Sequence, residues 1–302
     1  MAKPSFRAGP VRVRPPASSA NLGPGFDALG LALALHDEVE VEVIDAGLQI
    51  ELAGEGADEL PHTEDHLLIR ALRVGFDALG GQPAGLRLSC VNQIPHARGL
   101  GSSSAAIVAG LLAARALVEG GALALDDQAV LALATSLEGH PDNVAACLYG
   151  GLTIAWTEDG AAHAVRRNPA DGVHPVVFIP EHRALTATAR KLLPDQVPHA
   201  DAAANAGRAA LLVHAFTADP SLLLPATRDW LHQEYRASAM PASADLVRDL
   251  RAAGVPAVIS GAGPTVLAFE TVPGVLPESV DGFVVRPVEV DPGGAVARVT
   301  AL

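Results

Sequence analysis

A glycine- and serine-rich turn, residues 95–106, has the composition of a loop that binds phosphate. Its sequence, Pro-His-Ala-Arg-Gly-Leu-Gly-Ser-Ser-Ser-Ala-Ala, joins a strand-like run to a long apolar segment that is typical of a helix. Gly99 and Gly101 let the backbone approach an oxyanion without a Cβ atom in the way, and a helix beginning near Ser102 directs unpaired N–H groups there. The turn predicts an anion site, although an ordinary strand-to-helix turn explains this motif alone equally well.

Two common nucleotide motifs do not account for this turn. A Walker A loop requires Gly-x-x-x-x-Gly-Lys-[Ser/Thr], and the only lysines of the chain, Lys3 and Lys191, lie elsewhere. A Rossmann fingerprint requires a third glycine where Ser104 stands, and Glu119, at the distance of a ribose-binding acid, follows a helix rather than a strand. A triphosphate held here would therefore have to be neutralised by backbone N–H groups, arginine and a metal ion.

Three further segments contain polar residues among glycines. Residues 16–30 include Asn21 and Asp27, and taken alone they favour a loop with an Asx-turn. Residues 138–143, Glu-Gly-His-Pro-Asp-Asn, place two carboxylates, an imidazole and an amide together, which is more than a turn requires. Residues 260–265, Ser-Gly-Ala-Gly-Pro-Thr, lie between two strand-like runs and form either a second glycine-rich binding surface or a hairpin-like turn.

The composition indicates a folded protein that binds small molecules. The 302 residues suffice for two domains, and 49% of them are apolar, so a large core can form. A net charge of −13 argues against sequence-independent binding to nucleic acid or to anionic lipid. Cys90 and Cys147 lie in apolar segments, as buried thiols of a reducing compartment do. With no signal-peptide pattern and no membrane-spanning run we expect a cytoplasmic protein, either a monomer or a homodimer.

Hydrophobic periodicity and turn residues predict two α+β units. A polar stretch, 166–172, is the best boundary between them and gives domains of 1–168 and 169–302. In the first we expect a helix at 103–118, a helix at 126–138 with Asp127 as its N-cap, and strands at 11–14, 38–44, 49–52, 86–94 and 150–156. In the second we expect strands at 173–179, 257–260, 266–270 and 282–287 and helices at 202–217, 220–232 and 242–253.

Three of these segments, 16–30, 99–104 and 260–265, resemble in their order the signature motifs of the GHMP kinase superfamily. Within it, the wording Ser-Ala-Asn-Leu-Gly-Pro-Gly-Phe-Asp and Glu-Gly-His-Pro-Asp-Asn-Val is similar to the homoserine kinase family. The resemblance spans most of the chain and implies ATP- and Mg²⁺-dependent phosphorylation of the side-chain hydroxyl of L-homoserine, a step toward threonine. It also implies an N-terminal ATP-binding domain (1–168) like ribosomal protein S5 domain 2 and a ferredoxin-like C-terminal domain (169–302).

The resemblance implies roles for individual residues. It places the ATP phosphates on two glycine-rich loops, at Pro95, Arg98, Gly99, Leu100, Gly101, Ser102, Ser103, Ser104, Gly261 and Gly263. Magnesium falls on Ser103 and Glu138, which with Asn143 are the predicted catalytic residues. The acceptor falls on Asn21, Asp27, His140, Asp142, Thr186, Arg190 and Arg236. An amino acid acceptor needs carboxylates for its ammonium group and arginines for bidentate capture of its carboxylate, so this set is chemically consistent.

The chain departs from the family pattern at three places. His66 stands where the family often has an asparagine before the adenine-facing helix, which leaves the adenine contacts open. Ser104 stands where alanine is common, so the metal-binding serine is uncertain by one position. Asn143 stands where some relatives have an aspartate, and an amide cannot accept the proton of the acceptor hydroxyl. We therefore expect no side chain to act as catalytic base, because a loose transition state releases that proton only late.

Two alternatives share the phosphate loop. Another superfamily member, acting on mevalonate, a sugar or shikimate, would not need two arginines and two carboxylates arranged for a zwitterion. A catalytically silent ligand-binding protein would have little use for Glu138 and the intact serine loop, because metal ligands serve phosphoryl transfer.

Overall fold

The computed structural model describes residues 4–182 and 189–300, which form three β-sheets and nine α-helices. The strands are β1 (Val11–Arg14), β2 (Pro16–Asn21), β3 (Gly25–His36), β4 (Glu38–Ile44), β5 (Gly47–Gly54), β6 (Gly85–Asn92), β7 (Leu152–Glu158), β8 (Ala161–Arg167), β9 (Pro175–Pro180), β10 (Ala257–Ile259), β11 (Val266–Phe269), β12 (Phe283–Pro287) and β13 (Val296–Val299). The helices are α1 (Leu67–Ala78), α2 (Ser102–Leu117), α3 (Gly121–Ala124), α4 (Asp127–Glu138), α5 (Pro141–Tyr149), α6 (His199–Thr217), α7 (Leu223–Ala226), α8 (Gln233–Arg236) and α9 (Pro241–Ala252). None of the helices in these ranges is long and apolar enough to cross a lipid bilayer.

The first sheet has the strand order β13–β1–β4–β6–β5. In β1, Val11 and Val13 are buried while Arg12 and Arg14 are exposed, the alternation expected when one face of a strand packs on a core. Helix α2 packs against β1, β4 and β13, and its Ala- and Leu-rich sequence is buried on most sides. Strands β5 and β6 are parallel, and α1 forms the crossover between them. This layer fixes the position of the start of α2.

The second sheet, β2–β3–β7–β8, contains the N-terminal motif. The interpretation of that motif as a loop is wrong for most of its length, because β2 and β3 pair antiparallel as a hairpin. Every residue of β2 is buried, so the period-two alternation that marks a strand is absent. The Asn21 side-chain oxygen accepts a hydrogen bond from the Asp27 N–H (3.0 Å), six residues further along, so this contact spans the whole turn and is not the predicted Asx-turn, which joins residues two positions apart.

The third sheet, β10–β11–β9–β12, forms a separate core with α9 around Phe178, Met240 and Val266. The segment 260–265 connects the antiparallel strands β10 and β11, so it is the hairpin-like turn that the sequence allowed. Strand β13 leaves this unit and pairs antiparallel with β1 in the first sheet. The division after residue 168 stays a prediction, and the C-terminal strand lies with the N-terminal unit.

Two helix predictions need correction, and the other predicted elements are confirmed to within three residues at each end. The N-cap of α4 is Asp126, whose carboxylate accepts the Ala129 N–H (2.8 Å), and not Asp127. The helix predicted at 220–232 is wrong: a 3₁₀ turn and the four-residue α7 end at residue 226. Pro225 cannot donate a helical hydrogen bond, and the Asp229 carboxylate instead accepts the N–H groups of residues 231–233.

Candidate active site

A cavity of about 240 Å³ lies where the four sequence motifs meet. The β2–β3 hairpin, the loop before α2, the junction between α4 and α5, and the β10–β11 turn each supply part of its wall. Its lining residues are Ala20, Asn21, Asp27, Ala97, Gly99, Gly101, Ser102, Ser103, Glu138, His140, Asp142, Asn143, Arg190, Arg236, Gly261 and Ala262. Most of the polar residues that the sequence analysis selected therefore share one site.

The N-terminus of α2 faces this cavity. The helix begins at Ser102, as predicted, after Gly101 in the left-handed conformation (φ 71°), and no side chain caps its first turn. Ser102 and Ser103 line the cavity, so the N–H groups of this turn are placed to bind an anion. Anion binding at this position stays a prediction.

Two glycines of the loop are required for a reason that the sequence did not reveal. A Cβ atom on Gly99 (φ 77°) would overlap the backbone carbonyl oxygen of Ser260, and one on Gly101 would overlap the Ser18 hydroxyl. The Ser260 hydroxyl also donates a hydrogen bond to the Gly99 carbonyl (2.6 Å). The loop is thus packed tightly between β2 and the β10–β11 turn, and this packing requires the glycines independently of any contact with a ligand.

Glu138, the last residue of α4, reaches the first turn of α2. Its Oε1 accepts hydrogen bonds from the hydroxyls of Ser103 (2.6 Å) and Ser104 (3.0 Å). Ser103 lines the cavity, whereas Ser104 is buried. Mg²⁺ in nucleotide sites takes one or two hard oxygen ligands from the protein and completes its shell with waters and phosphate oxygens. Ser103 and Glu138 fit this requirement, and the described residues hold no cluster of three His, Cys, Asp or Glu that would bind a metal by themselves.

His140 and Asp142 form a pair at the start of α5. The fully buried Asp142 carboxylate lies 2.6 Å from His140 Nδ1 and accepts the Asn143 N–H (2.8 Å). Burial lowers the pKa of His140, but the hydrogen bond and charge of Asp142, with the charge of Glu138, outweigh it and raise that pKa above its ordinary value. The site therefore favours the protonated form of the His140 imidazole more than water does.

Asp27 and Arg190 form a bidentate ion pair. The two terminal nitrogens of Arg190 donate to the two Asp27 carboxylate oxygens at 3.0 and 2.6 Å, and both side chains remain about one-third exposed. Asn21 holds the same turn from the other side, because its amide donates to the Gly261 carbonyl (2.9 Å). Asp27 and Arg190, both predicted to bind the acceptor substrate, bind each other in this structure.

Arg236, at the end of α8, is buried in the cavity wall and has no carboxylate partner in the part of the chain that the structure describes. It is 2% exposed, its Nε has no hydrogen-bond partner among the described residues, and it belongs to none of the ion pairs found there. Burial and the neighbouring charge of Arg190 lower the pKa of Arg236 from its ordinary value. A buried guanidinium in a cavity wall, with no ion-pair partner among the described residues, is placed to bind an anionic group of a ligand.

Several predicted residues do not line this cavity. Arg98 donates to the carbonyls of His96, Pro180 and Glu181 at 2.7–3.1 Å, so it ties the loop to the end of β9. Thr186 lies outside the described residues. The remaining predicted residues that the lining lacks are Pro95, Leu100, Ser104 and Gly263, of which Leu100 belongs to the hydrophobic core.

A smaller cavity of about 140 Å³ shares Ser102 and Ser103 with the first. His66 borders it and caps α1, because its Nδ1 accepts the Leu68 N–H (3.3 Å). The Nε2 of His66 is buried and has no hydrogen-bond partner in the described part of the chain. Burial lowers the pKa of His66, which favours the neutral ring. The cavity is the candidate position for the base of a nucleotide whose phosphates lie at the α2 N-terminus.

Three buried polar residues around these cavities were missed by the sequence analysis. The Ser18 hydroxyl donates to Asn143 Oδ1 (2.9 Å). The Ser19 hydroxyl lies 2.8 Å from that of Ser260 and donates to it, because the single hydroxyl proton of Ser260 goes to the Gly99 carbonyl. Asp37, on the smaller cavity, accepts two backbone N–H groups, and burial raises its pKa to about 6. The sequence feature that could have indicated two of these residues is the pair of adjacent serines, Ser18 and Ser19, within the N-terminal motif.

Two models of known protein families match this chain, one in its N-terminal part and one in its C-terminal part. The family model for the GHMP kinases N terminal domain matches residues 66–151, and that for GHMP kinases C terminal matches residues 212–270. These matches, with the mixed α/β architecture, confirm the predicted GHMP kinase fold.

Individual relatives narrow the family. The chain is 67% identical over 269 residues to a homoserine kinase of Streptomyces coelicolor, covering 89% of this chain and 87% of that protein. It is 46% identical over 302 residues to one of Mycolicibacterium smegmatis, covering 93% and 95%. A crystal structure of homoserine kinase from Cytophaga hutchinsonii superposes with a TM-score of 0.84 at 26% identity, covering 99% of this chain and 100% of that one. The chain belongs to the homoserine kinase family.

Proposed function

We propose that this protein transfers the γ-phosphoryl group of ATP to the side-chain hydroxyl of L-homoserine, giving O-phospho-L-homoserine for threonine biosynthesis in the cytoplasm. The observation that carries the proposal is a single cavity with an uncapped helix N-terminus and the Ser103–Glu138 pair on one side. Buried and half-buried charges suited to an amino acid stand on another side, at Asp27, Asp142, Arg190 and Arg236.

The α2 N-terminus and the backbone of the loop before it would hold the phosphates of ATP. Ser103 and Glu138 would hold Mg²⁺, which when bound neutralises charge on the phosphates. Because Ser104 is buried behind Ser103, we assign the metal to Ser103, one of the two serines that the sequence left open. The adenine base would lie in the smaller cavity, within reach of the unpartnered Nε2 of His66.

The acceptor amino acid would bind on the opposite wall. Arg236 would take its carboxylate, since it lines the cavity and, unlike Arg190, forms no ion pair with any residue that the structure describes. Its ammonium group would lie near the Asp27 and Asp142 carboxylates, with Asn21 and His140 as polar neighbours. Arg190 would hold Asp27 in place or would turn to the substrate carboxylate when the substrate binds.

Among the described residues, the side chains near the acceptor include no free general base. Asn143 is an amide whose oxygen already accepts from Ser18, and the Asp142 carboxylate is engaged by His140. Positioning and charge neutralisation carry most of a phosphoryl transfer through a loose transition state. We propose that the hydroxyl proton leaves late, to a phosphate oxygen or to water.

The test is an assay of ADP release with homoserine, mevalonate, galactose and shikimate as acceptors under identical ATP and magnesium concentrations. We expect turnover with homoserine and little with the three acceptors that lack an α-amino acid group. Preference for one of those three would reassign the protein within the superfamily, and absence of turnover with all four would indicate a ligand-binding relative.

Size-exclusion chromatography with light scattering would decide between monomer and homodimer.

A further inference from the structure

His232 lies behind the acceptor wall of the cavity and belongs to none of the sequence motifs. We propose that His232 is a positioning residue whose Nδ1 accepts a hydrogen bond from Arg236 and holds that guanidinium ready for the carboxylate of the acceptor. This inference rests on the proposed function, because that function gives Arg236 its ligand group.

The hydrogen bonds of His232 determine which ring nitrogen carries the proton. Its Nε2 lies 2.8 Å from the Gly23 carbonyl oxygen, and a carbonyl oxygen can only accept, so Nε2 is the donor. Its Nδ1 lies 3.4 Å from a terminal nitrogen of Arg236, and a guanidinium can only donate, so Nδ1 must present a lone pair. The ring therefore links the β2–β3 turn to Arg236 in one defined tautomer.

The surroundings of His232 keep the ring neutral, as this tautomer requires. The ring is fully buried, and burial lowers its pKa. The charged groups that face it are Asp229, whose carboxylate lies 3.7 Å from Nε2, Asp27, which also favours protonation, and Arg236, which opposes it. Burial outweighs the two carboxylates, so Nδ1 keeps its lone pair at neutral pH.

Phe26 completes the support of Arg236. Its ring stacks on His232 at 5.1 Å between centroids, with 27° between the ring planes. The guanidinium of Arg236 lies 5.3 Å from the Phe26 centroid, and that of Arg190 lies 5.5 Å from it. Arg236 is thus held by one ring nitrogen and one aromatic face in the wall of the cavity, where its guanidinium can meet an anionic ligand.

Two substitutions separate the two hydrogen bonds of His232. In His232→Gln the side-chain amide can still donate to Gly23 from the place of Nε2, but the acceptor for Arg236 is lost. In His232→Asn the amide oxygen can replace Nδ1 as the acceptor for Arg236, but the donor to Gly23 is lost. Both variants lose the stacking on Phe26, so they form a matched pair.

Steady-state kinetics with wild type and both variants test the proposal. We expect His232→Gln to raise the Michaelis constant for homoserine about tenfold, with kcat and the Michaelis constant for ATP changed less than about twofold. His232→Asn should retain most of the homoserine affinity even if its melting temperature falls, because the contact with Arg236 survives. Equal losses of homoserine affinity in the two variants, or none in His232→Gln, would overturn the positioning role.

A second measurement does not depend on the substrate. Nitrogen-15 NMR of the imidazole of wild-type protein at pH 7 should show a neutral His232 ring protonated at Nε2. A ring protonated at Nδ1, or at both nitrogens, would refute the contact with Arg236 even if homoserine is turned over. If wild type turns over no homoserine, the proposed function fails, and the NMR spectrum still decides whether His232 accepts from Arg236.

Discussion

Replacing Gly99 with alanine tests whether the phosphate loop needs glycine for its packing or for the approach of a ligand. Gly99 has a φ of 77°, a left-handed conformation that costs an L-residue about 1–2 kcal/mol. The added Cβ would also overlap the Ser260 carbonyl oxygen, a backbone atom that cannot rotate away, and such overpacking costs about 1–3 kcal/mol. We therefore expect Gly99→Ala to lower the free energy of unfolding by about 2–5 kcal/mol.

Gly160→Ala is the matched control for this substitution. Gly160 has a φ of 79° between β7 and β8, and no atom of the described chain lies within 4 Å of the added Cβ, so only the conformational cost of about 1–2 kcal/mol applies. Urea unfolding of wild type and both variants, followed by circular dichroism, gives the two losses, and their difference measures the overlap with Ser260. Equal losses would refute the packing argument. If Gly99→Ala then raised the Michaelis constant for ATP, the glycine would serve phosphate approach, as its sequence alone suggested.

Four further predictions concern the charged groups of the cavity. Glu138→Gln should lose most turnover, keep its melting temperature and recover partly in excess magnesium, because an amide is a poor magnesium ligand; normal turnover at limiting magnesium would reduce Glu138 to a helix-end carboxylate. Arg190→Lys and Arg236→Lys should each raise the Michaelis constant for homoserine far more than that for ATP. The binding free energy of homoserine should fall by about 1.5–3 kcal/mol for each charged hydrogen bond lost, and equal effects on both substrates would contradict the assignment. Asp142→Asn at saturating ATP should weaken homoserine binding and reduce kcat only modestly, whereas a collapse of kcat with homoserine still bound would identify Asp142 as the base. Because the pKa of His140 is raised, its NMR titration should have a midpoint above 6.5. The contribution of His140 to the free energy of unfolding should be complete below the unfolded-state pKa and disappear as the pH rises through the folded-state pKa. Asp142→Asn should lower the midpoint, and an unchanged midpoint would rule out the His140–Asp142 pair as the cause of the shift.

The elements that could be predicted are those in which the pattern of apolar and polar residues shows which face is buried. Strands β1 and β4 alternate between apolar and charged residues because one face is buried, and that alternation is visible in the sequence. Strand β2 has no such pattern, because its small residues are buried on both faces. The false helix at 220–232 arose because apolar spacing was counted without the competition from Asp229, which binds backbone N–H groups locally.

The candidate site divides in the same way. The start of α2 could be placed from the sequence because glycines and serines before an apolar run act on their own backbone, within a few residues. Which charged groups meet was decided by the tertiary structure: Arg190 pairs with Asp27 across 163 positions, while Arg236 has no carboxylate partner within residues 4–182 and 189–300. An ion pair depends on the distance between two side chains in space, and no local pattern fixes that distance. The sequence by itself therefore determined the set of donors and acceptors, and only the fold determined which of them are already satisfied by each other and which remain for a ligand.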